Sequence, residues 1–306
     1  MVSIRRILCP VDFSDHSRRA LDHALAIATW YDAVVTLLHV SPLMPVAAYA
    51  PMSGMPPYVG LTPDARQALM RSMKEFAAGV AASVPIEFEI AEGHVAAIIV
   101  DRAGELTADL LVLGTHGRSG LDRWVLGSVT EKVLRKARCP VLTAPTYVGV
   151  AAAETAGFRR IVCAVDFSDC SMSALDYAIS LAERAHASLT VVHVIELPPD
   201  IPREVHETVM LGPRNQREYI ALAEEAGRAH LTDAVPDRVR AAVNVDTVLA
   251  AGKPYREILR VAAEHSADLI VAGVHGRGVI DRMLFGSTTQ HLVRQASCPV
   301  LTIRKE

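Results

Sequence analysis

Apolar and polar positions follow two rhythms along this chain, and the rhythms take turns. Ile7–Val11 is a short apolar run, and from Ser17 to Trp30 the residues Ala20, Leu21, Ala24, Leu25, Ile27 and Ala28 fall on one stripe at helical spacing. Val34–Val40 is a second apolar run, so the first forty residues read as strand, helix, strand. After a proline-rich loop, Asp64–Val84 reads as a long helix and Ile86–Ala91 as a strand. Ala96–Glu105 is a further short helix, Asp109–Gly114 a buried strand, Gly127–Lys136 a helix and Val141–Thr143 a last strand.

The pattern then starts again. Residues 6–15 return at 160–169, both ending in Val-Asp-Phe-Ser-Asp, and Leu38-His39-Val40 returns as Val192-His193-Val194. Residues 108–143 return at 267–302 with 20 of the 36 aligned pairs identical. The second half follows the same plan and ends in a strand at Val300–Ile303. Continuous apolar strands separated by amphipathic helices predict a parallel sheet covered on both faces. The expected fold class is therefore α/β: two tandem doubly wound domains, each a five-stranded parallel sheet with helices on both faces, for which the order 3-2-1-4-5 is taken as the working expectation. Residues 1–147 and 158–306 are the expected domains, with a linker between Pro145 and Gly157 where the period of the flanking strands is lost.

One motif is duplicated with its spacing intact. Gly114-Thr115-His116-Gly117, nine residues, then Gly127-Ser128 recurs as Gly273-Val274-His275-Gly276, nine residues, then Gly286-Ser287. Glycines after a buried strand let backbone approach a polyphosphate, and the loop ends at a helix whose free N–H groups favour anions. Ser128-Val129-Thr130-Glu131 and Ser287-Thr288-Thr289-Gln290 also match capping boxes, a reading compatible with the first. The arrangement resembles the G-x-x-G-(nine)-G-[S/T] signature of the ATP-binding universal stress proteins, and the resemblance covers nearly the whole chain, twice.

Asp12 and Asp166 end the first strand of each half, and in the order 3-2-1-4-5 that strand and the fourth flank the crevice where ligands collect. Asp12 would then stand beside Gly114, and Asp166 beside Gly273. The other reading is that Asp12 shapes the turn into the helix while Ser14 caps it. The resemblance implies that these aspartates, with Val40 and Val194 at the end of the second strand, hold the adenosine end of ATP. It implies further that the last strands of the two halves pair about a pseudo-two-fold axis, so that one chain mimics a dimer. Arg118 and Arg277 follow the second motif glycine and could contact phosphate oxygens or stand solvated. The expected nucleotide-binding set is thus Asp12, Val40, Gly114, Gly117, Arg118, Gly127, Ser128, Val129 and Thr130, repeated as Asp166, Val194, Gly273, Gly276, Arg277, Gly286, Ser287, Thr288 and Thr289.

His39, His116, His193 and His275 lie at expected strand ends, but without HxxxH or CxxC spacing they read as hydrogen-bonded structural histidines, and no metal site is expected. Cys139-Pro140 and Cys298-Pro299 read as packing and helix termination. The five cysteines are an odd count without CxxC spacing, which suits reduced thiols in the cytoplasm. Cys9-Pro10-Val11-Asp12 interrupts the early apolar run, so no secretory signal is expected. The uncharged stretch between Asp32 and Asp64 carries Pro42, Pro45, Pro51, Pro56, Pro57 and Pro63, which argues against a membrane helix. A formal net charge of -3 provides no basic field for nucleic acid or anionic lipid.

The leading function is an ATP-binding stress-response regulator or sensor with a site in each half. Mg²⁺ is plausible on the triphosphate charge alone, since the chain shows no dedicated acidic cluster. No catalytic residue is assigned, because no G-x-x-x-x-G-K-[ST] loop and no kinase-like Asp/Asn pair is present. A slow ATPase or nucleotidyl-transfer enzyme is one alternative, and a nucleotide-independent scaffold binding another protein is the other. A regulatory protein partner and a homodimer of tandem chains are both compatible with the sequence.

Overall fold

The computed structural model describes residues 2–45, 58–78, 84–115, 126–145, 157–196, 213–275 and 286–304. The first half runs β1 (Arg6–Pro10), α1 (Asp15–Tyr31), β2 (Val34–Ser41), β3 (Met44–Pro45), β4 (Tyr58–Val59), α2 (Pro63–Ala77), β5 (Ile86–Glu92), α3 (Val95–Glu105), β6 (Leu110–Gly114), α4 (Ser128–Lys136) and β7 (Val141–Ala144). The second runs β8 (Arg160–Ala164), α5 (Asp169–Ala185), β9 (Ser188–Ile195), α6 (Pro213–Ala234), α7 (Asp237–Ala242), β10 (Val245–Ala251), α8 (Pro254–Glu264), β11 (Leu269–Gly273), α9 (Ser287–Gln295) and β12 (Val300–Ile303).

Ten strands form one sheet in the order β10-β9-β8-β11-β12-β7-β6-β1-β2-β5. Within each half the pairing is parallel, as the alternating pattern predicts, and the order is the expected 3-2-1-4-5. The halves meet at β7 and β12, which pair antiparallel with Leu142 opposite Leu301. The Thr143 hydroxyl donates to the Val300 carbonyl at 3.2 Å and the Thr302 hydroxyl to the Val141 carbonyl at 3.1 Å, so the joint repeats itself about the Leu142–Leu301 pair.

A buried cluster lies on each face of the sheet, and each draws on both halves. One includes Ile7, Leu21, Leu37, Ile161, Leu175 and Leu301. The other includes Leu8, Leu111, Val133, Val162, Ile270 and Leu292. Helices α1 and α5 carry the same start signals, a Ser14 or Ser168 side chain accepting from the third N–H beyond it and an acid in the first turn. They end alike too, on Asp32 and His186 in the left-handed region, and they meet where the Tyr31 hydroxyl lies 2.7 Å from Ser180 Oγ. The Arg184 guanidinium sits 4.5 Å from the centre of the Tyr31 ring.

Two details depart from the sequence reading. Helix α2 stops at Ala77, because Ala78 is already extended with ψ of 138°, seven residues short of the expected end at Val84. The proline-rich stretch read as loop contributes a two-residue antiparallel ladder, Met44 opposite Val59 and Pro45 opposite Tyr58. Among the described residues no helix is long and apolar enough to cross a membrane.

Candidate functional site

In both halves the chain leaves the first strand through the same turn. Asp12 Oδ1 accepts from the Ser14 amide at 3.1 Å and the Ser14 hydroxyl at 2.5 Å, and Asp166 Oδ1 does the same with Ser168 at 3.1 Å and 2.5 Å. Between them Phe13 and Phe167 hold φ of 66° and 61°, where a bulky residue is strained. Each ring rests on a histidine, Phe13 on His39 at 4.8 Å and Phe167 on His193 at 4.5 Å. His39 Nδ1 lies 2.8 Å from the Val11 carbonyl, and His193 Nδ1 2.8 Å from that of Val165. A carbonyl only accepts, so Nδ1 carries the proton in both rings. These two histidines therefore lock the ends of neighbouring strands together. No group of three or more His, Cys, Asp or Glu placed to hold a metal occurs among the described residues.

The fourth strand supplies the opposite wall. A Cβ on Gly114 would lie 2.8 Å from that of His16, and one on Gly273 would lie 3.0 Å from backbone atoms of Cys170 and Ser171. The first motif glycine is thus required by the start of α1 or α5 packing against the strand end, a reason the phosphate reading did not supply. Gly286 needs its missing side chain as well, since a Cβ there would meet the Val274 carbonyl oxygen at 2.7 Å. Its amide donates to that same carbonyl at 3.0 Å, and Gly127 donates to Thr115 at 2.9 Å. Thr130 and Thr289 then donate their hydroxyls to the carbonyls of Gly114 and Gly273, at 2.8 Å and 2.7 Å. Strand end and helix start are held as one piece in each half.

The capping boxes do not form. Gly127 and Gly286 occupy the N-cap positions and place Ser128 and Ser287 at the first helical position, one residue later than a box requires. Glu131 instead pairs with Arg135 at 3.0 Å, one helical turn on. With glycine at the cap, no cap side chain engages the first-turn amides of α4 and α9. The positive end of each helix dipole is available to an anion there.

In the second half these parts enclose a cleft of 610 Å³ lying over the carboxyl ends of β8, β9 and β11. Asp166, Val194, Gly273, Gly286, Ser287, Thr288 and Thr289, seven of the nine expected residues of that half, line it. The first half places Asp12, Val40, Gly114, Gly127, Ser128, Val129 and Thr130 at the same ends of β1, β2 and β6 and the start of α4, with Val40 buried. Gly117, Arg118, Gly276 and Arg277 lie outside the described residues.

The sequence model of the universal stress protein family matches residues 3–145 and again 157–304. The chain belongs to the universal stress protein family. A universal stress protein of Mycolicibacterium smegmatis is 29% identical over 312 aligned positions, covering 97% of this chain and 96% of its own. One from Methanocaldococcus jannaschii is 36% identical over 138 residues, covering 45% of this chain and 80% of its own. The crystal structure of a universal stress protein from Archaeoglobus fulgidus superposes with a TM-score of 0.66 at 20% identity, covering 98% of each chain, and so shares the fold.

The universal stress protein cleft also has walls that the duplicated motif did not reveal. Ala223, Ala226, Gly227 and His230 of α6 line it, and the His230 ring lies tilted against that of Phe167 with centroids 5.1 Å apart. Among the described residues no helix of the first half matches α6 in length, and the duplicated motifs do not extend to it. The small residues at 223, 226 and 227, spaced by three and four, were the available signal. Glu196, just beyond β9, and Pro254 and Ile258 of α8 line it too and were not among the expected residues.

Proposed function

We propose that this member of the universal stress protein family binds an adenine nucleotide, ATP in the first instance, in each half and acts as a regulator or sensor whose shape or partners change with occupancy. The observation that carries the proposal is the second-half cleft, which gathers the strand-end carboxylate of Asp166, Val194 and the glycine-capped first turn of α9 around one volume. Its size falls within the ~300–1,000 Å³ of small-molecule sites. In this reading the first-turn amides of α9 face the phosphates, while Asp166 and Val194 face the adenosine end. Asp166 keeps its turn-forming role at the same time, because Oδ1 makes the Ser168 contacts. The first half repeats the turn, the glycine N-cap and the threonine tie, and we assign it a second site on that basis. The assignment of Gly117, Arg118, Gly276 and Arg277 to the phosphates rests on their positions in the motif. The nucleotide's own charge would recruit Mg²⁺. All five cysteines are free thiols, in keeping with a reducing cytoplasm.

Mass spectrometry of gently purified, then denatured, protein tests the reading without assuming a substrate. Release of ATP at up to two per chain is expected. No released nucleotide together with no rise in Tm on adding ATP would overturn it. ADP alone would favour the hydrolase alternative.

A further inference from the structure

The cleft wall supplied by α6 has a counterpart in α2, and the two walls differ in bulk. Phe76 of α2 sets its ring edge-on to Phe13 with centroids 5.6 Å apart, as His230 of α6 leans on Phe167 at 5.1 Å. The offset of 154 residues that relates Phe13 to Phe167 also relates Phe76 to His230, so the two helices correspond residue for residue. One turn back Gly227 therefore answers to Met73, and one turn further Ala223 answers to Leu69. We propose that these two positions set the size of base that each half admits. The second-half site takes adenine nucleotides carrying a bulky apolar group on the base, and the first-half site, walled by Met73 and Leu69, rejects them. The inference rests on the nucleotide reading above and specifies it.

Position comes first. Gly227 and Ala223 both line the second-half cleft. A Cβ on Gly227 would meet Leu249 Cδ1 at 2.9 Å and His193 Cδ2 at 3.4 Å, so bare helix backbone lies directly on β9 and β10. Met73 cannot lie that way, because its own side chain is fully buried in the core of the first half, and Leu69 is half-buried. A thioether thus stands where the second half has a hydrogen, and an isobutyl group where it has a methyl. Only β8 separates β9 from β11, whose end leads to α9. At ~4.8 Å per strand, the wall of α6 over β9 is roughly 10 Å across the sheet from that helix start. A nucleotide laid with its phosphates at α9 and its adenosine at Asp166 and Val194 therefore points its base at α6.

Chemistry comes second. The 6-amino group of adenine sits on the ring remote from the glycosidic bond, so a substituent there extends the molecule away from its phosphates and meets this wall first. Ala223, Ala226 and the Phe167 ring offer such a group apolar contact, and each contact adds dispersion attraction. Against Met73 and Leu69 the same group has to displace side chains that are already packed. Overpacking of that kind should cost about tenfold or more in affinity. ATP itself, with a bare amino group at this edge, should fit both halves.

Calorimetric titration of the full chain with ATP and with N6-benzyl-ATP tests this. ATP should fill two sites per chain. The benzyl analogue should fill one of them about as tightly as ATP and the other about tenfold more weakly or worse. Ala223→Leu, which copies the first half, should close the permissive site, weakening the analogue about tenfold more than it weakens ATP. Leu69→Ala, a change at a half-buried position, should do the reverse and strengthen the analogue at its weak site. Equal treatment of the analogue at both sites, or an Ala223→Leu chain that weakens both nucleotides alike, would overturn the size limit while leaving nucleotide binding intact. Absence of binding by either nucleotide would instead sink the underlying reading, and the size limit with it.

Discussion

A methyl group added at residue 273 would sit 3.0 Å from the carbonyl carbon of Cys170 and the amide nitrogen of Ser171, neither of which can swing aside. Gly273→Ala should therefore destabilise the fold by about 1–3 kcal/mol, read from the midpoint of urea unfolding, even without nucleotide present. If the glycine served only phosphate approach, stability would be untouched. His23 supports a second prediction at this scale. Its ring stacks at 5.4 Å on Phe158, and burial, aided by Arg19, pushes its pKa down to about 4. The folded protein then binds fewer protons than the unfolded chain between pH 6.5 and 4. The stability this contributes is complete above pH 6.5 and is lost as pH falls toward 4. His23→Phe should flatten that part of the stability profile in denaturation series run at successive pH values. Sequence alone located Asp12 and Asp166, because an apolar run ending in a carboxylate marks a strand end. It could not locate His230, whose place in the cleft wall depends on which helix covers the second half.

Helix starts decide the chemistry at the next scale. The S-x-x-E pattern at Ser128 and the S-x-x-Q pattern at Ser287 read as capping boxes, yet the preceding glycines take the cap position, and that single-residue shift leaves the first turn without a cap side chain. A carboxylate placed there has opposite effects on fold and ligand. Ser287→Asp should raise the Tm of nucleotide-free protein slightly, as a helix-dipole gain of ~0.3–1 kcal/mol allows. It should also weaken ATP binding by roughly tenfold or more through like-charge repulsion. A variant that gains stability and keeps its affinity would place the phosphates elsewhere. Element identity was legible wherever the period was sustained, as in α1 and β2. The end of α2 was not, because Val80, Ala81, Ala82 and Val84 prolong an apolar pattern beyond the point where the backbone turns extended at Ala78.

At the scale of the molecule, both buried clusters cross the joint between β7 and β12, so the halves share their cores. Trp30 and Trp124 both belong to the first half, whereas helices from both halves report in far-UV circular dichroism. The two signals should fall together in one urea transition, and tryptophan fluorescence changing separately would show the halves to be independent. Thr143→Val combined with Thr302→Val removes both hydroxyl contacts across the joint and should lower stability by ~1–3 kcal/mol in the same experiment. The duplication made two like sheets legible from sequence, but strand patterns alone do not say which edges meet; only the family resemblance supplied that expectation. Because the meeting strands run antiparallel, every carboxyl end of the first half points one way and every carboxyl end of the second half points the other. A protein lying flat over one mouth therefore leaves the opposite rim bare, so the two sites proposed above would face two different listeners at once.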